Sequence, residues 1–128
     1  MAVDLDPSNT GVRIQDLIQA ASSPIKTVPV YWGGATLPAP LPDRFIVIEP
    51  LFPTEWRAWG EQRAGTHTVQ VRACARTVGG STSLRARIAN LLPATEFGTV
   101  RHGPTIKVDS HYDSILTATT VSAEKGTP

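Results

Sequence analysis

The sequence predicts an α+β fold in which a single antiparallel or mixed sheet of about five strands has two helices packed on one face. The length of 128 residues fits one domain. Hydrophobic residues make up 41% of the chain and charged residues 18%, a balance typical of a packed core. Eleven prolines and ten glycines divide the chain into short elements. The predicted order of these elements, α, β, β, β, α, β, β, favours α+β over a doubly wound parallel sheet.

The first half of the chain is predicted to begin with a helix. Residues 1–7 form a loose acidic arm, and the domain itself spans residues 8–123. Apolar residues recur with the period of one helix face, which predicts an amphipathic helix over about residues 9–22: Ile14, Leu17, Ile18 and Ala21. Two serines followed by Pro24 are expected to end it.

Two strands are predicted next. Residues 28–32 (VPVYW) are predicted to form a short strand, and Pro29 favours either a sheet edge or the start of the strand, because proline donates no ladder hydrogen bond. After a proline-rich loop, Arg44–Leu51 (RFIVIEPL) is apolar on both faces and is therefore placed centrally in the sheet. Pro50 and Pro53 are expected to end this strand.

A polar excursion over residues 53–65 leads to a strand over Thr66–Arg76. Its residues alternate cleanly between apolar and polar, which predicts one buried face and one wet or partner-facing side. The buried face is predicted to carry Val69, Val71, Ala73 and Ala75. The other side is predicted to carry Thr68, Gln70, Arg72, Cys74 and Arg76.

A turn at residues 78–80 is predicted to precede the second helix, which Pro93 closes. The helix is expected to be capped by one of three hydroxyl residues: Ser81, Thr82 or Ser83. Its inward residues are predicted to be Leu84, Ile88, Leu91 and Leu92, with Arg85 and Arg87 outward.

The last third of the chain is predicted to hold two strands. Residues 94–102 are expected to be irregular, and residues 105–108 (TIKV) form a short strand. A turn at residues 110–113 leads to a closing strand over residues 114–123 that is rich in β-branched side chains. Residues 124–128 are a tail.

No catalytic motif stands out, because the chain has no P-loop, no GxSxG and no HExxH. Asp109, His111 and Asp113 would share one strand face and form the best metal-like group, but a solvated turn is favoured over a metal site, because Asp and Ser are expected in turns and no fourth ligand is indicated. The sequence pattern places no histidine beside Cys74 to activate its thiol, which favours a structural cysteine in a strand over a nucleophile. Glu49 is expected to face water. The sequence therefore favours a structural or interaction protein over an enzyme, with no cofactor and no metal.

Charge is distributed unevenly along the chain, although the formal net charge is only +1. Residues 1–55 carry six acidic against three basic side chains, and residues 56–107 carry two acidic against eight basic. A basic middle between acidic ends suits head-to-tail contact between copies, while an ordinary mixed surface would give the same counts. The low net charge does not favour nucleic-acid binding.

Tryptophan and arginine, the residue types enriched at interface hot spots, supply the candidate subunit or partner interface. The polar excursion contributes Trp56, Arg57, Trp59 and Arg63. Its tryptophans have an alternative role, which is to fold back over one end of the core. The outward arginines of the strand and the second helix complete the set: Arg72, Arg76, Arg85 and Arg87.

Roughly residues 9–123 resemble the tail-terminator (tail-completion) proteins of long-tailed bacteriophages in the order of the elements and in their residue patterns. The resemblance rests on five segments taken together: the helix Val12–Ala21, the strand PVYWG, the strand RFIVIEP, the strand HTVQVRACAR, and Gly-Gly leading into the helix SLRARIANLLP. A closing strand rich in Thr and Val completes the pattern.

The resemblance implies α+β subunits of about this size that form a ring, usually a homohexamer. The ring caps the tail tube, ends tail polymerisation and provides the head-joining surface. It implies as partners the tail tube protein and a neck or head-completion protein, with DNA only passing through the lumen. It also implies a place in the virion, at the tail end or neck, after assembly in the bacterial host cytoplasm. No membrane contact is expected, because the longest apolar run, Phe45–Ile48, is far below the ~20 residues of a membrane span.

Two alternatives remain open on the sequence. The first is a head–tail connector or head-completion protein of the neck, which shares the size, fold class and ring symmetry. The second is a small metal-dependent enzyme or ligand-binding module that uses Asp109, His111 and Asp113.

Overall fold

The computed structural model describes residues 7–21, 24–51 and 66–121. Within these residues, two α-helices and five strands follow one another in the predicted order, and a 3-10 turn at Pro24–Thr27 comes after the first helix. The elements are α1 (Pro7–Ala20), β1 (Val30–Trp32), β2 (Arg44–Leu51), β3 (Thr66–Ala75), α2 (Val78–Leu91), β4 (Phe97–Val108) and β5 (His111–Val121).

The five strands form one mixed sheet in the order β1-β2-β3-β5-β4. β1 runs parallel to β2, and the other three pairs are antiparallel. The predicted positions of two strands are confirmed, since β1 lies at an edge and β2 lies inside the sheet with Phe45–Ile48 all buried.

Both helices pack on the same face of the sheet, as predicted. One buried cluster joins them to β2, β3 and β5, and its members come from every layer: Ile14, Ile18, Ile46, Ile48, Val69, Val71, Ala73, Leu84, Ile88, Leu116 and Ala118. The alternation of β3 is confirmed, because Val69, Val71 and Ala73 face the helices. Burial of this apolar surface is the main stabilising contribution to the fold.

The second helix begins earlier than predicted, so the expected turn at residues 78–80 is wrong. Thr77 is the cap, and its Oγ1 accepts a hydrogen bond from the backbone nitrogen of Gly80 at 3.0 Å. Ser81 is not the cap, because it lies inside the helix, where it is fully buried and its Oγ donates to the carbonyl oxygen of Ala73 at 2.7 Å. Gly79 and Gly80 therefore lie in the first turn of α2.

A chain of hydroxyl groups links four elements under α2. Because the single Oγ proton of Ser81 goes to the Ala73 carbonyl, Ser114 must donate to Ser81 across 2.6 Å. Thr105 Oγ1 then donates to Ser114 Oγ across 2.9 Å. Each of the three hydroxyl groups in this row, those of Ser81, Ser114 and Thr105, therefore has a hydrogen-bond partner, as polar groups in a protein core require.

Three boundaries in the last third differ from the predictions. Residues 94–96 form a turn, but residues 97–102 are not irregular as predicted, because β4 begins at Phe97 and continues through two register shifts, one at Phe97/Thr99 and one at His102/Thr105. The turn between the last strands is tighter than predicted. Asp109 adopts the left-handed conformation there with φ 54°, and β5 already begins at His111.

Pro50 lies within β2 and does not end it. Ile46 donates its N–H to Pro29 and Ile48 accepts from Gly33, so even-numbered residues of β2 direct their backbone polar groups toward β1. β1 stops opposite Ile48. The missing N–H of Pro50 therefore leaves no strand neighbour without a partner.

The described residues contain no helix with the length and hydrophobicity needed to cross a membrane. The arm at residues 1–6, the polar excursion at residues 53–65 and the tail at residues 124–128 lie outside the described residues.

Candidate subunit interface

The sheet face opposite the two helices, here called the open face, carries a connected group of polar side chains. Register and alternation bring Glu49 of β2, Gln70 and Arg72 of β3 and Asp113 of β5 together. Gln70 Nε2 donates to Glu49 Oε1 at 2.9 Å. Arg72 Nη2 is 3.5 Å from Glu49 Oε2, and Arg72 Nη1 is 3.3 Å from Asp113 Oδ2. We call these four residues the Arg72 cluster.

The Arg72 cluster is half-buried. The side chains of Arg72 and Glu49 are 30% and 32% exposed, and that of Asp113 only 8%. Arg72 lies on the predicted side of β3, but it is paired there, and Glu49 contacts Gln70 and Arg72 where it was expected simply to face water. Cross-strand register instead places the guanidinium between two carboxylates, which partly neutralises all three charges. Arg72 therefore presents to a partner much less positive charge than the sequence suggests.

Beside this cluster, the open face is covered by apolar groups. Phe45, Val47 and Cys74 are buried here, and Leu37 and Leu41 from the proline-rich loop pack against them. Tyr31 meets Phe45 edge-on with ring centroids 6.1 Å apart. The loop thus covers this end of the open face.

His111 anchors the loop at the same place. The residue is buried, and its ring lies edge-on to that of Phe45, with centroids 5.4 Å apart. Nε2 lies 2.8 Å from the carbonyl oxygen of Pro42, which can only accept, so Nε2 carries a proton and donates. In the neutral ring Nδ1 then accepts from Ser110 Oγ at 2.9 Å. Both ring nitrogens are occupied by structural hydrogen bonds.

Cys74 lies on the predicted side of β3, but it is buried rather than wet. Burial raises the pKa of its thiol well above the usual value, and the neighbouring charge of Asp113 raises it further. The thiolate is the nucleophilic form, and this site disfavours it.

The three residues of the metal-like group are not arranged as a joint ligand set. Asp113 pairs with Arg72, His111 bonds Pro42 and Ser110, and Asp109 lies in the turn. In residues 7–21, 24–51 and 66–121, no group of three or more His, Cys, Asp or Glu side chains could hold a metal ion.

The eight candidate interface residues fall into different environments. Trp56, Arg57, Trp59 and Arg63 lie outside the described residues. Arg76 is exposed and pairs with Asp43 at 2.7 Å, and Arg87 is exposed on α2. Thus Arg76 and Arg87 remain accessible to a partner, whereas Arg72 is engaged in its cluster.

Arg85 was expected to point outward, and this is wrong. Its Nη1 donates to the carbonyl oxygens of Gly103 at 2.6 Å and Ile115 at 3.2 Å, so it is half-buried against the sheet. Gly103 lies within the second register shift of β4, where the ladder between β4 and β5 is interrupted. Arg85 supplies hydrogen bonds to backbone carbonyl groups at this interruption, so its role is to stabilise the sheet.

The outer edge of β4 is a feature that the sequence analysis missed. β4 is the last strand in the sheet order, and within the described part of the chain nothing pairs with its other side. Ile106 and Val108 are 48% and 44% exposed. Their partners on β5 are Asp113 and His111, so both lie on the open face. The signal was present in the alternating TIKV segment, but that segment does not reveal which strand is at an edge.

Comparisons with known proteins give information on the fold and none on the function. No family model matches the chain, and no curated protein matches it. One solved structure, whose name is a bare sequence identifier that states no function, is similar with a TM-score of 0.65 and 16% identity. The similarity covers 99% of this chain and 99% of that chain. At this identity it shows a shared fold alone.

Proposed function

We propose that this chain is a phage structural protein that forms a ring, caps the tail tube, ends tail polymerisation and provides the surface to which the head attaches. It works as one copy among several, with six as the expected number, and it transforms no substrate. Its partners are further copies of itself, the tail tube protein and a neck or head-completion protein.

The observation that carries the proposal is the one-sided sheet. Both helices cover one face, which leaves part of the open face and the 12-residue edge strand β4 exposed. The resemblance assigns ring and tube contacts to these parts of the subunit, the sheet and its long loops. An exposed edge strand with apolar side chains is a template for association between chains.

Stopping a helical tube imposes a physical requirement on a ring of such subunits. One surface of the ring must match the acceptor end of the tube, and the other must not offer that acceptor end again. DNA must also pass through the lumen without tight binding. A formal net charge of +1 suits this, because many phosphate contacts would hold DNA firmly and without specificity.

Electron microscopy of phage particles made without this chain tests the proposal. Overlong tails are expected, because nothing would stop tube growth, and supplying the chain from a plasmid should restore normal length. The purified chain, added to isolated tail tubes, should appear as a ring at one end only.

The same micrographs separate the alternative in the neck. Tails of normal length together with heads that leak DNA would identify a connector or head-completion protein and overturn the terminator role. Particles with normal heads, tails and infectivity would overturn both structural roles.

A further inference from the structure

We propose that residues 2–6 of one copy bind the free edge of β4 in a neighbouring copy as an added antiparallel strand. The inference rests on the proposed function, because it names a contact between the copies of the ring.

The acceptor is the segment of β4 after its second register shift, Thr105–Val108. Ile106 and Val108 lie on the open face and are about half exposed. Lys107 lies between them and points to the helix side, opposite Tyr112. Lys107 Nζ lies 5.9 Å from the centre of the Tyr112 ring, and no carboxylate among the described residues pairs with it. The edge thus offers two apolar side chains on one face and an uncompensated cation on the other.

The arm has the complementary pattern. Residues 2–6 read Ala-Val-Asp-Leu-Asp, in which apolar and acidic side chains alternate with the period of a strand. Residues opposite each other in adjacent strands point to the same face and interact. When Val3 and Leu5 lie beside the apolar pair of β4, Asp4 falls opposite Lys107. One register therefore satisfies the apolar contacts and the charge together.

The antiparallel direction is favoured over the parallel one. Both directions place Asp4 opposite Lys107. The parallel direction also brings Asp6 next to Asp109, and like charges on neighbouring strands are destabilising. The antiparallel direction places Asp6 beside Thr105, whose hydroxyl is a neutral neighbour.

The arm of the same chain cannot reach this segment. Thr10 Oγ1 lies 3.2 Å from Thr120 Oγ1, which fixes the start of α1 near the end of β5. Tyr112, opposite Lys107, lies eight residues before Thr120 on the same strand, which is about 26 Å along it. Asp4 can extend only about 16 Å from Thr10, given three extended residues before the first helical turn. The strand must therefore come from another copy.

Disulfide trapping tests the contact directly. Asp4→Cys and Lys107→Cys are made in separate full-length chains, mixed and oxidised, with the buried Cys74 retained in both. Opposite strand residues have Cβ atoms about 4.5–5.5 Å apart, close enough for a disulfide to form with small adjustment. A covalent pair of chains is expected on a non-reducing gel. Asp4→Cys mixed with Lys26→Cys, an exposed lysine near the end of α1, is the matched control and should give only background.

Charge reversal measures the same contact without a cross-link. Lys107→Glu or Asp4→Lys should each weaken self-association about tenfold, because an attractive pair becomes repulsive. Combining both changes in one chain should restore the original association. Lys26→Glu should change nothing. Circular dichroism checks that each variant keeps its fold, which is expected because Lys107 is exposed.

The outcomes separate this inference from the proposed function. Failure of the double variant to restore association, or equal cross-linking to Lys26→Cys, overturns the added strand. If particles made without the chain have overlong tails but the charge variants associate normally, the terminator role stands and the added strand is wrong. If those particles have heads that leak DNA but the disulfide between Asp4→Cys and Lys107→Cys forms, the added strand stands and the terminator role is wrong.

Discussion

Arg13 and Glu96 form an exposed ion pair that joins α1 to the segment before β4. Arg13 Nε donates to Glu96 Oε2 at 2.9 Å, and Nη2 donates to Oε1 at 2.7 Å, so the contact has two parallel bonds. These hydrogen bonds lower the pKa of Glu96 and raise that of Arg13. Two-bond geometry is the arrangement in which a surface pair contributes most to stability.

Glu96→Gln should make the dependence of stability on pH visible. The folded state lowers the pKa of Glu96 below its ordinary value of 4.5, so the unfolded chain binds more protons in this range. The stabilisation by the pair is present above that pH and is lost as the pH falls through the lower, folded-state pKa. Urea unfolding should show the variant less stable at pH 7, with the difference from the unaltered chain shrinking below about pH 4.5.

Arg13→Gln provides the control for this residue pair. In that background Glu96→Gln should cause little further change, because the partner is already gone. A difference between Glu96→Gln and the unaltered chain that stays constant from pH 7 to pH 3 would contradict the assignment.

At the same scale, sequence alternation predicted which face each residue of β3 occupies, but not what it meets there. The face of Val69, Val71 and Ala73 is confirmed. The partners of Arg72 come from β2 and β5, and one step of register would change them. A single sequence does not contain that register. The charge-reversing substitution Arg72→Glu would place a third carboxylate between Glu49 and Asp113. It should therefore disturb folding as well as any assembly.

At the scale of elements, helical periodicity located both helices, but the observed helix ends differ from the predicted ones. Ser81, Thr82 and Ser83 were the predicted caps, but α2 begins before all three, with Thr77 as the cap and Ser81 buried inside the helix. In β4 the glycines and the proline break the alternation, so the strand was recognised only over residues 105–108. The two register shifts explain why, because each inserts residues that the period of two does not accommodate.

Gly11→Ala tests how closely α1 packs on the sheet. A Cβ at Gly11 would lie 2.7 Å from Trp32 Cζ3 and 3.0 Å from Ile48 Cγ2. Alanine is favoured over glycine inside a helix by about 1 kcal/mol, so an unobstructed site would gain stability. Here the overlap should prevail and destabilise the fold by about 1–3 kcal/mol, because Trp32 packs against the core and Ile48 is buried within it. Urea unfolding measures the change.

Gly79→Ala is the matched control, since it is the same substitution in the first turn of α2. A Cβ there would have no neighbour within 4 Å, so the variant should be as stable as the unaltered chain or more stable. Equal stability of the Gly11 and Gly79 variants would show that α1 lies farther from β1 than described.

For the whole molecule, the sequence predicted the order of elements and the one-sided packing of the helices. It did not predict the spatial order of the strands, in which β5 lies between β3 and β4, nor the parallel pairing of β1 with β2. Both follow from contacts between distant segments. The consequence for assembly is large, because this order places the long β4 at one edge and the three-residue β1 at the other. The two edges of a subunit are therefore unequal, which suits head-to-tail contacts around a ring.

Arg76→Glu should separate assembly from folding. The side chain of Arg76 is 49% exposed, and its partner Asp43 is 85% exposed. An exposed pair of this kind contributes only about 0–1 kcal/mol to folding, so thermal unfolding should change little. If the basic middle of the chain meets an acidic surface of the next copy, reversal of this charge should reduce ring formation, measured by native mass spectrometry with and without tail tubes.

Lys26→Glu makes the same change of charge on the 3-10 turn, outside the basic segment of residues 56–107. It should leave ring formation intact, because it lies in the acidic part of the chain. Equal loss of rings in both variants would show that net charge alone controls assembly. Unfolding of Arg76→Glu would show that Arg76 supports the fold and not the contact. Rings that form normally from Arg76→Glu would remove Arg76 from the contact between copies and leave the edge of β4 as the proposed surface.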